Sequence, residues 1–483
     1  MKLSKIINGI EIAHSDIEDL EIDYVSTDIE KIKERTLFVL ENSKKAPCFS
    51  SLTEVPSAVI CDDDIDTGTV PKIIVKDARL TSAYIHSNFY GVDYTKLKFI
   101  GVTGTNGKST TAYLIYEVLI ELGFKAGFIG TGRIEINGKA ENDKHYSMTT
   151  PDPALLYKTI KKMQDAGCTY VIMEISSHAL SLSKTAPIIF EYGLFTNLSP
   201  EHLDFHKDME NYYLAKAKLA KSSKCAVFNI DDRYISRLCS SHDGKKITVG
   251  SLYRGDYYAV YPQEMGIDGI SYIFHEKSFS FRMRSSLCGI YNVYNTLLAA
   301  ATLIDIGIAP CRVKTAMKKA KGLHGRYEII KDEITVIIDY AHTPLAYESF
   351  LRSVKAMKGQ GKLITVFGCG GEREKEKRPK IAKITEKYSD KIFVTSDNPR
   401  GENPETIIAD IIGGFTGKSH TVIKDRSEAI IKAVTESCKN DIVAIIGKGA
   451  EEYNIDRDGY HKYSDIDVVK TALEERKHHE NKT

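Results

Sequence analysis

Phe99-Ile100-Gly101-Val102-Thr103-Gly104-Thr105-Asn106-Gly107-Lys108-Ser109-Thr110 decides the reading of this chain. A short apolar run enters a glycine-rich turn, and Lys-Ser-Thr opens a helix. Glycines let backbone N–H groups approach phosphate oxygens, and the helix N-terminus adds partial positive charge. Lys108 is then expected to reach β- and γ-phosphates, and the Ser109 hydroxyl to ligate Mg²⁺. The general phosphate-loop motif carries Gly where this chain has Val102. Gly104 and the Thr105-Asn106 pair give the stricter pattern G-x-x-G-T-N-G-K-S instead.

Outward from this loop, apolar β-rich runs alternate with helical patterns from about residue 97 to the end. Strands are expected at Phe99–Thr103, Tyr170–Ile175, Tyr192–Thr196, Ala226–Ile230, Val336–Asp339, Leu363–Phe367, Ile392–Thr395 and Ile442–Ile446. Helices are expected around Thr110–Leu122, Asn211–Ala220, Asn295–Ile306 and Arg426–Val434. Such alternation predicts parallel, doubly wound sheets with helices on both faces and ligands at the strands' carboxyl ends. Residues 1–97 read as a smaller mixed α/β unit rich in charge. The fold class is therefore α/β in three domains: residues 1–98, 99–327 and 328–483.

Composition narrows the function classes. The chain has 483 residues, too many for one ordinary core, with 42% hydrophobic and 27% charged residues. A formal net charge of +1 gives no electrostatic case for nucleic acid or an anionic membrane. No apolar run reaches membrane-spanning length, and the start lacks a signal-peptide core. The nine cysteines are scattered, without a C-x-x-C pair, and read as reduced thiols of a cytoplasmic protein. Only the tail ERKHHENKT is expected to fray.

Further motifs follow strand ends. Thr149-Thr150-Pro151 precedes Met173-Glu174-Ile175-Ser176-Ser177-His178, then Asn197-Leu198-Ser199-Pro200-Glu201-His202, and Asn292-Val293-Tyr294-Asn295. Glu174 ends an apolar strand, where a carboxylate is costly without a cation. A hard carboxylate plus the His202 imidazole near a phosphate loop suggests Mg²⁺ bridging phosphates and protein. In the last third stand Gly325-Arg326-Tyr327, Ile338-Asp339-Tyr340-Ala341-His342, Gly370-Gly371-Glu372-Arg373, Asp397-Asn398-Pro399-Arg400 and Gly447-Lys448-Gly449-Ala450-Glu451.

In order and spacing these segments resemble the Mur ligase family of peptidoglycan synthesis over about residues 75–470. The resemblance implies a UDP-sugar domain, a central P-loop ATPase-like domain with a parallel sheet, and a Rossmann-like domain for the incoming amino acid. It implies ATP bound by Gly104, Thr105, Asn106, Gly107, Lys108, Ser109, Thr110, Asn295, Arg326 and Asp339. Two Mg²⁺ ions would be held by Ser109, Glu174, His202 and Lys216, the last carbamylated by CO₂ to N6-carboxylysine. Catalysis would rest on Lys108, Glu174, His202, Lys216 and Arg326, with Arg326 stabilising charge on the transferring phosphoryl group. Composition alone would make Lys216 a solvated lysine, with Lys218 its competitor for that place.

Ser26, Thr27, Thr149, Thr150, Ser176 and Lys184 would hold the UDP-sugar. The usual Asp-Ser-Arg and Asp-Gly-His segments of the family are absent near residues 26 and 46. Arg373, Asp397, Asn398, Pro399, Arg400, Gly447 and Glu451 resemble the pocket of the branch that adds meso-diaminopimelate to UDP-MurNAc-L-Ala-D-Glu. There the Arg400 fork would take the distal carboxylate, which lysine lacks. A sister ligase using L-lysine or another amino acid, a folylpolyglutamate-type enzyme and a nucleotide-binding paralogue without catalysis are the alternatives. The expected partners are small molecules only, acted on by a monomer.

Overall fold

The computed structural model describes residues 1–15, 17, 19–141, 148–417 and 419–480. The chain is α/β and separates into two compact units. The first comprises Met1–Gly104, Thr111–Leu198 and Asp208–Thr248; the second comprises Thr105–Thr110, Ser199–Lys207 and Val249–Thr483.

The first unit carries two sheets. The smaller runs in the order Ile12–Ser15, Lys72–Val75, Ala58–Cys61, Thr36–Val39, Tyr24–Ser26. Only its outer strand Ile12–Ser15 is antiparallel. Helix Ala78–Tyr90 covers it, capped by the Asp77 carboxylate, which accepts from Leu80 N at 2.9 Å, and stopped by left-handed Gly91. This is the small mixed α/β unit expected for residues 1–97.

The larger sheet sets Ser223–Asn229, Phe190–Phe195, Lys98–Thr103, Tyr170–Glu174 and Ala126–Gly130 side by side, all parallel. Its strands are buried on both faces, which is why they read as unbroken apolar runs. Their carboxyl ends are Thr103, Glu174 and Phe195, each within a few residues of a motif singled out above.

In the second unit, Thr335–Asp339, Ile442–Ile446, Leu363–Phe367, Lys391–Val394 and Thr421–Val422 form a parallel sheet with one antiparallel edge, Glu328–Lys331. Helices Pro344–Met357, Lys377–Tyr388 and Pro404–Ile412 bury Phe350, Ile381 and Ile411 on one face. Helices Arg426–Thr435 and Asp465–Glu480 bury Ile430, Val434 and Val469 on the other. The doubly wound expectation holds here.

Two features differ from the sequence reading. Tyr257–Glu264, Ile270–Glu276 and Ser280–Ser285 form an antiparallel meander, because connections this short leave no room for a crossover. Of the tail ERKHHENKT, residues 475–480 continue the last helix to Glu480, and residues 481–483 lie outside the described residues. Among the described residues no helix is long and apolar enough to cross a membrane.

Candidate active site

The strand Lys98–Thr103 delivers its last residue into a turn, and helix Lys108–Glu121 begins at the lysine itself. Two glycines make that turn possible. Gly104 has φ +148°, and a Cβ there would run into the Thr196 hydroxyl. Gly107 has φ +83°, and a Cβ there would meet Asn295 Oδ1. The backbone thus stays bare where a phosphate would lie. Thr105 Oγ1 donates to Ser199 O at 3.1 Å and accepts from Ser199 N at 3.0 Å, fixing the loop. Asn106 and Thr110 are half-buried beside it.

Lys108 Nζ donates to Thr105 O at 2.7 Å, and Arg326 Nη2 donates to Ser109 Oγ at 3.2 Å. The Arg326 guanidinium lies 4.2 Å from the Tyr340 ring centre, a cation–π contact that holds its plane. Asp339 is buried and accepts from Tyr327 N and Ala341 N, both at 2.7 Å. It ties the turn carrying Arg326 to the end of its strand. Burial raises the Asp339 carboxyl above the usual range, against the charge of Arg326. Thr105, Gly107, Lys108, Ser109, Asn295 and Arg326 are therefore brought together in one unit.

The same unit holds a pair the sequence reading left without a role. Glu201 Oε1 lies 3.0 Å from His342 Nε2, whose Nδ1 faces Tyr340 O at 3.1 Å. Burial pushes the Glu201 carboxyl up, but the His342 hydrogen bond and the charges of His342, His202 and Lys108 outweigh it, leaving it well below the carboxylate range. His202, in the left-handed region at φ +56°, is 3.9 Å from Glu201 Oε2. The signal for Glu201 was available: it sits beside His202 in the quoted motif.

In the first unit Glu174 is fully buried at its strand end. Its oxygens accept from Thr131 N at 2.9 Å and Thr131 Oγ1 at 3.2 Å. Thr131, unmarked by any motif, also meets Thr149 Oγ1 at 3.1 Å. Thr150 Oγ1 donates to Glu174 O at 2.9 Å and accepts from Ser176 N at 3.1 Å. Ser176 Oγ caps the next short helix through Ala179 N. Thr149, Thr150, Ser176 and Glu174 are thus gathered at one strand end, while Lys184 pairs with Asp152 at 2.6 Å.

Lys216 is 3% exposed, against the solvated lysine its composition suggests. Its Nζ donates to Gly104 O at 2.8 Å and Thr103 Oγ1 at 3.3 Å, and lies 4.8 Å from the Tyr212 ring centre. Lys218 is exposed and donates to Leu180 O, so burial separates the two. Of the uridine candidates, Ser26 ends the strand Tyr24–Ser26 and Thr27 follows it. The Ser26 hydroxyl donates to Asp28 O at 2.8 Å and accepts from Asp28 N at 3.0 Å, closing its own turn, and Thr27 is exposed. Sequence pattern could not separate a capping serine from a binding one.

The loops after Asp339, Phe367, Val394 and Ile446 line a small cleft with Tyr347, Cys369, Lys377, Asp397 and Gly447. Burial pushes the Cys369 thiol up to about 12 and lowers the Lys377 ammonium. Beside it Asn398 Nδ2 donates to Glu451 Oε2 at 2.8 Å, and Arg400 Nη1 donates to Gly371 O at 2.7 Å. Pro399 O accepts from Glu402 N at 3.0 Å. Burial, then the charge of Asp397, raises the Glu451 carboxyl. Arg373 is exposed on its loop, outside this buried cluster.

A bare glycine loop at a helix N-terminus, followed by a guanidinium and a lysine at the same loop, defines a phosphate-binding α/β protein built for phosphoryl chemistry. The Mur ligase middle domain profile matches residues 102–303, and the Mur ligase, glutamate ligase domain profile matches residues 325–449. A UDP-N-acetylmuramoyl-L-alanyl-D-glutamate–2,6-diaminopimelate ligase 1 of Clostridium acetobutylicum is 37% identical, over 98% of this chain and 100% of the relative. The ligase so named from Aquifex aeolicus is 42% identical over 84% of this chain and 83% of its own. A solved 2,6-diaminopimelate ligase structure superposes with a TM-score of 0.69 at 28% identity, covering 99% of both chains. Mycobacterium tuberculosis folylpolyglutamate synthase, complexed with ADP and AMPPCP, shares the fold at a TM-score of 0.66 and 16% identity, over 76% of this chain and 92% of that one. The chain belongs to the Mur ligase family.

Proposed function

We propose that this protein is an ATP-dependent, ADP-forming ligase that adds meso-diaminopimelate to UDP-MurNAc-L-Ala-D-Glu in peptidoglycan synthesis. The observation that carries it is the Asp397–Arg400 turn locked against Glu451 in a chain whose full-length relatives bear that ligase's name. The D-Glu side-chain carboxylate oxygen bonds the γ-phosphorus and ADP leaves, giving an acyl phosphate. The amine of the amino acid then bonds the acyl carbon, phosphate departs from the tetrahedral intermediate, and the nitrogen loses a proton.

The chain's part is positioning and charge neutralisation. Lys108 and the N–H groups of residues 105–109 take the phosphates, with Gly104, Asn106, Thr110, Asn295 and Asp339 completing the ATP site. Arg326 stabilises charge on the transferring group. The buried carboxylate of Glu174, the Ser109 hydroxyl and the His202 imidazole are donors suited to Mg²⁺, which neutralises phosphate charge when bound. Lys216 would serve as a further Mg²⁺ ligand once carbamylated: its neutral amine bonds CO₂ and releases one proton. Its burial beside Thr103 and Gly104 supports this role.

Thr149, Thr150, Ser176 and Lys184 bind the UDP-sugar, with Ser26 and Thr27 contributing through backbone and surface. Arg400 takes the distal carboxylate of the amino acid, Asp397 and Asn398 hold its ammonium, and Arg373, Pro399, Gly447 and Glu451 complete the pocket. The domains run 1–98, 99–327 and 328–483. The test is ADP release in a coupled assay with ATP, Mg²⁺, the UDP-dipeptide and meso-diaminopimelate, omitting each in turn. Release that needs all four supports the reading; release indifferent to the amino acid refutes it.

A further inference from the structure

Lys448 has no exposed surface, which a lysine tolerates only when its charge is matched. Its Nζ donates to Asn398 Oδ1 at 2.7 Å and stands 3.5 Å from Glu451 Oε2 and 3.7 Å from Asp397 Oδ1. The rings of Tyr463 and Tyr453 close the remaining sides, with centres 5.5 and 6.0 Å away. One cation thus stands between two carboxylates.

The segment it touches is strained. Asn398 has φ +36° although a proline follows, and Arg400 has φ +53°. A residue before proline favours extended backbone, and neither residue is glycine, so this turn persists only where its surroundings over-determine it. Gly371 N donates to Asn398 O at 3.1 Å and Glu402 N to Pro399 O at 3.0 Å, and side chains add further holds. Asn398 Oδ1 accepts from Lys448 Nζ and from Ile455 N at 3.0 Å, Asn398 Nδ2 reaches Glu451, and Arg400 N donates to Ile455 O at 3.0 Å. The cation and the carboxylate on opposite ends of the Asn398 carboxamide fix which way it points.

We infer that Lys448 is a positioning residue for amino-acid selection: it holds the Asn398 carboxamide and sets a cation between the Asp397 and Glu451 carboxylates that face the substrate ammonium. Through Asn398 it also sets where the Arg400 fork stands. This rests on the proposed ligase function, in which the Asp397–Arg400 turn meets the amino acid. Without the cation the Asp397 and Glu451 carboxylates lose the opposite charge between them, and the strained turn loses one of its holds.

The test is Lys448→Met in the full-length chain, with KM measured separately for the amino acid, ATP and the UDP-dipeptide. The expected result is an amino-acid KM raised on the order of 10- to 100-fold, the loss of a charged hydrogen bond, with the other two within about twofold. Lys448→Gln, which can still donate to Asn398 Oδ1, should lie between; it carries the test if the methionine variant does not fold. Three KM values rising together, or none rising, overturns the inference. A crystal structure of the variant decides independently of substrate: a displaced Asn398–Arg400 turn supports the role, and an unmoved one overturns it. Native protein that accepts lysine and not meso-diaminopimelate would instead overturn the substrate reading, leaving the Lys448 split to be read with lysine.

Discussion

Arg400→Lys keeps a cation at the amino-acid pocket and removes the planar fork. In the structure Nη1 of that fork holds Gly371 O at 2.7 Å, leaving Nε and Nη2 to meet a carboxylate side-on. A charge-assisted bond of this kind contributes about 1.5–3 kcal/mol, and lysine replaces two parallel bonds with one point contact. Losing one such bond corresponds to a fall of about 10- to 150-fold in kcat/KM for meso-diaminopimelate. The variant also loosens the loop at Gly371, a loss shared by every amino acid. Lysine lacks the distal carboxylate and so reports that shared loss alone. Coupled ADP release with both amino acids gives the ratio of their kcat/KM values, which should drop by at least tenfold. An unchanged ratio, with both substrates impaired equally or neither impaired, would refute the role given to the fork.

Lys216→Ala should nearly abolish turnover and recover part of it with added formate or acetate, which can replace a carbamate; no recovery would count against the carbamate. His86, fully buried with Nδ1 facing Ser82 O at 2.8 Å, is lowered by burial to about 4. The unfolded chain binds a proton near pH 6.5, so stability is full above that pH and falls by about 3 kcal/mol as pH drops through 4. The urea midpoint should follow this slope in the native chain and lose it in His86→Asn. Asp465 accepts from Arg426 Nε and Nη2, both at 2.8 Å, in a fully buried pair. Asp465→Asn strands the guanidinium and should cost about 3–5 kcal/mol by urea unfolding; a cost below about 1 kcal/mol would contradict it.

The phosphate loop and the parallel strands were legible because local chemistry determines them. A glycine turn between an apolar run and Lys-Ser admits few conformations, and strands covered on both faces spell themselves as Val, Ile and Phe. What escaped depends on partners distant in sequence. Thr131 reaches Glu174 across two neighbouring strands, and Glu201 meets His342 across 141 residues. Lys448 was quoted within its motif, yet nothing in Gly-Lys-Gly says that the lysine is buried against Asn398. The antiparallel meander was missed because polar residues face solvent along Ser280–Ser285, weakening the apolar signal. Ser26 shows the converse: its hydroxyl closes its own turn, a local partner that the surrounding pattern does not announce.

Product mass from a competition reaction tests the central claim most directly. The protein is supplied with ATP, Mg²⁺, UDP-MurNAc-L-Ala-D-Glu and equal amounts of meso-diaminopimelate, L-lysine and L-ornithine. The account predicts one nucleotide product, heavier than the acceptor by meso-diaminopimelate less water, with one ADP per product. A main product carrying lysine or ornithine, or ADP formed with no new nucleotide, would contradict it.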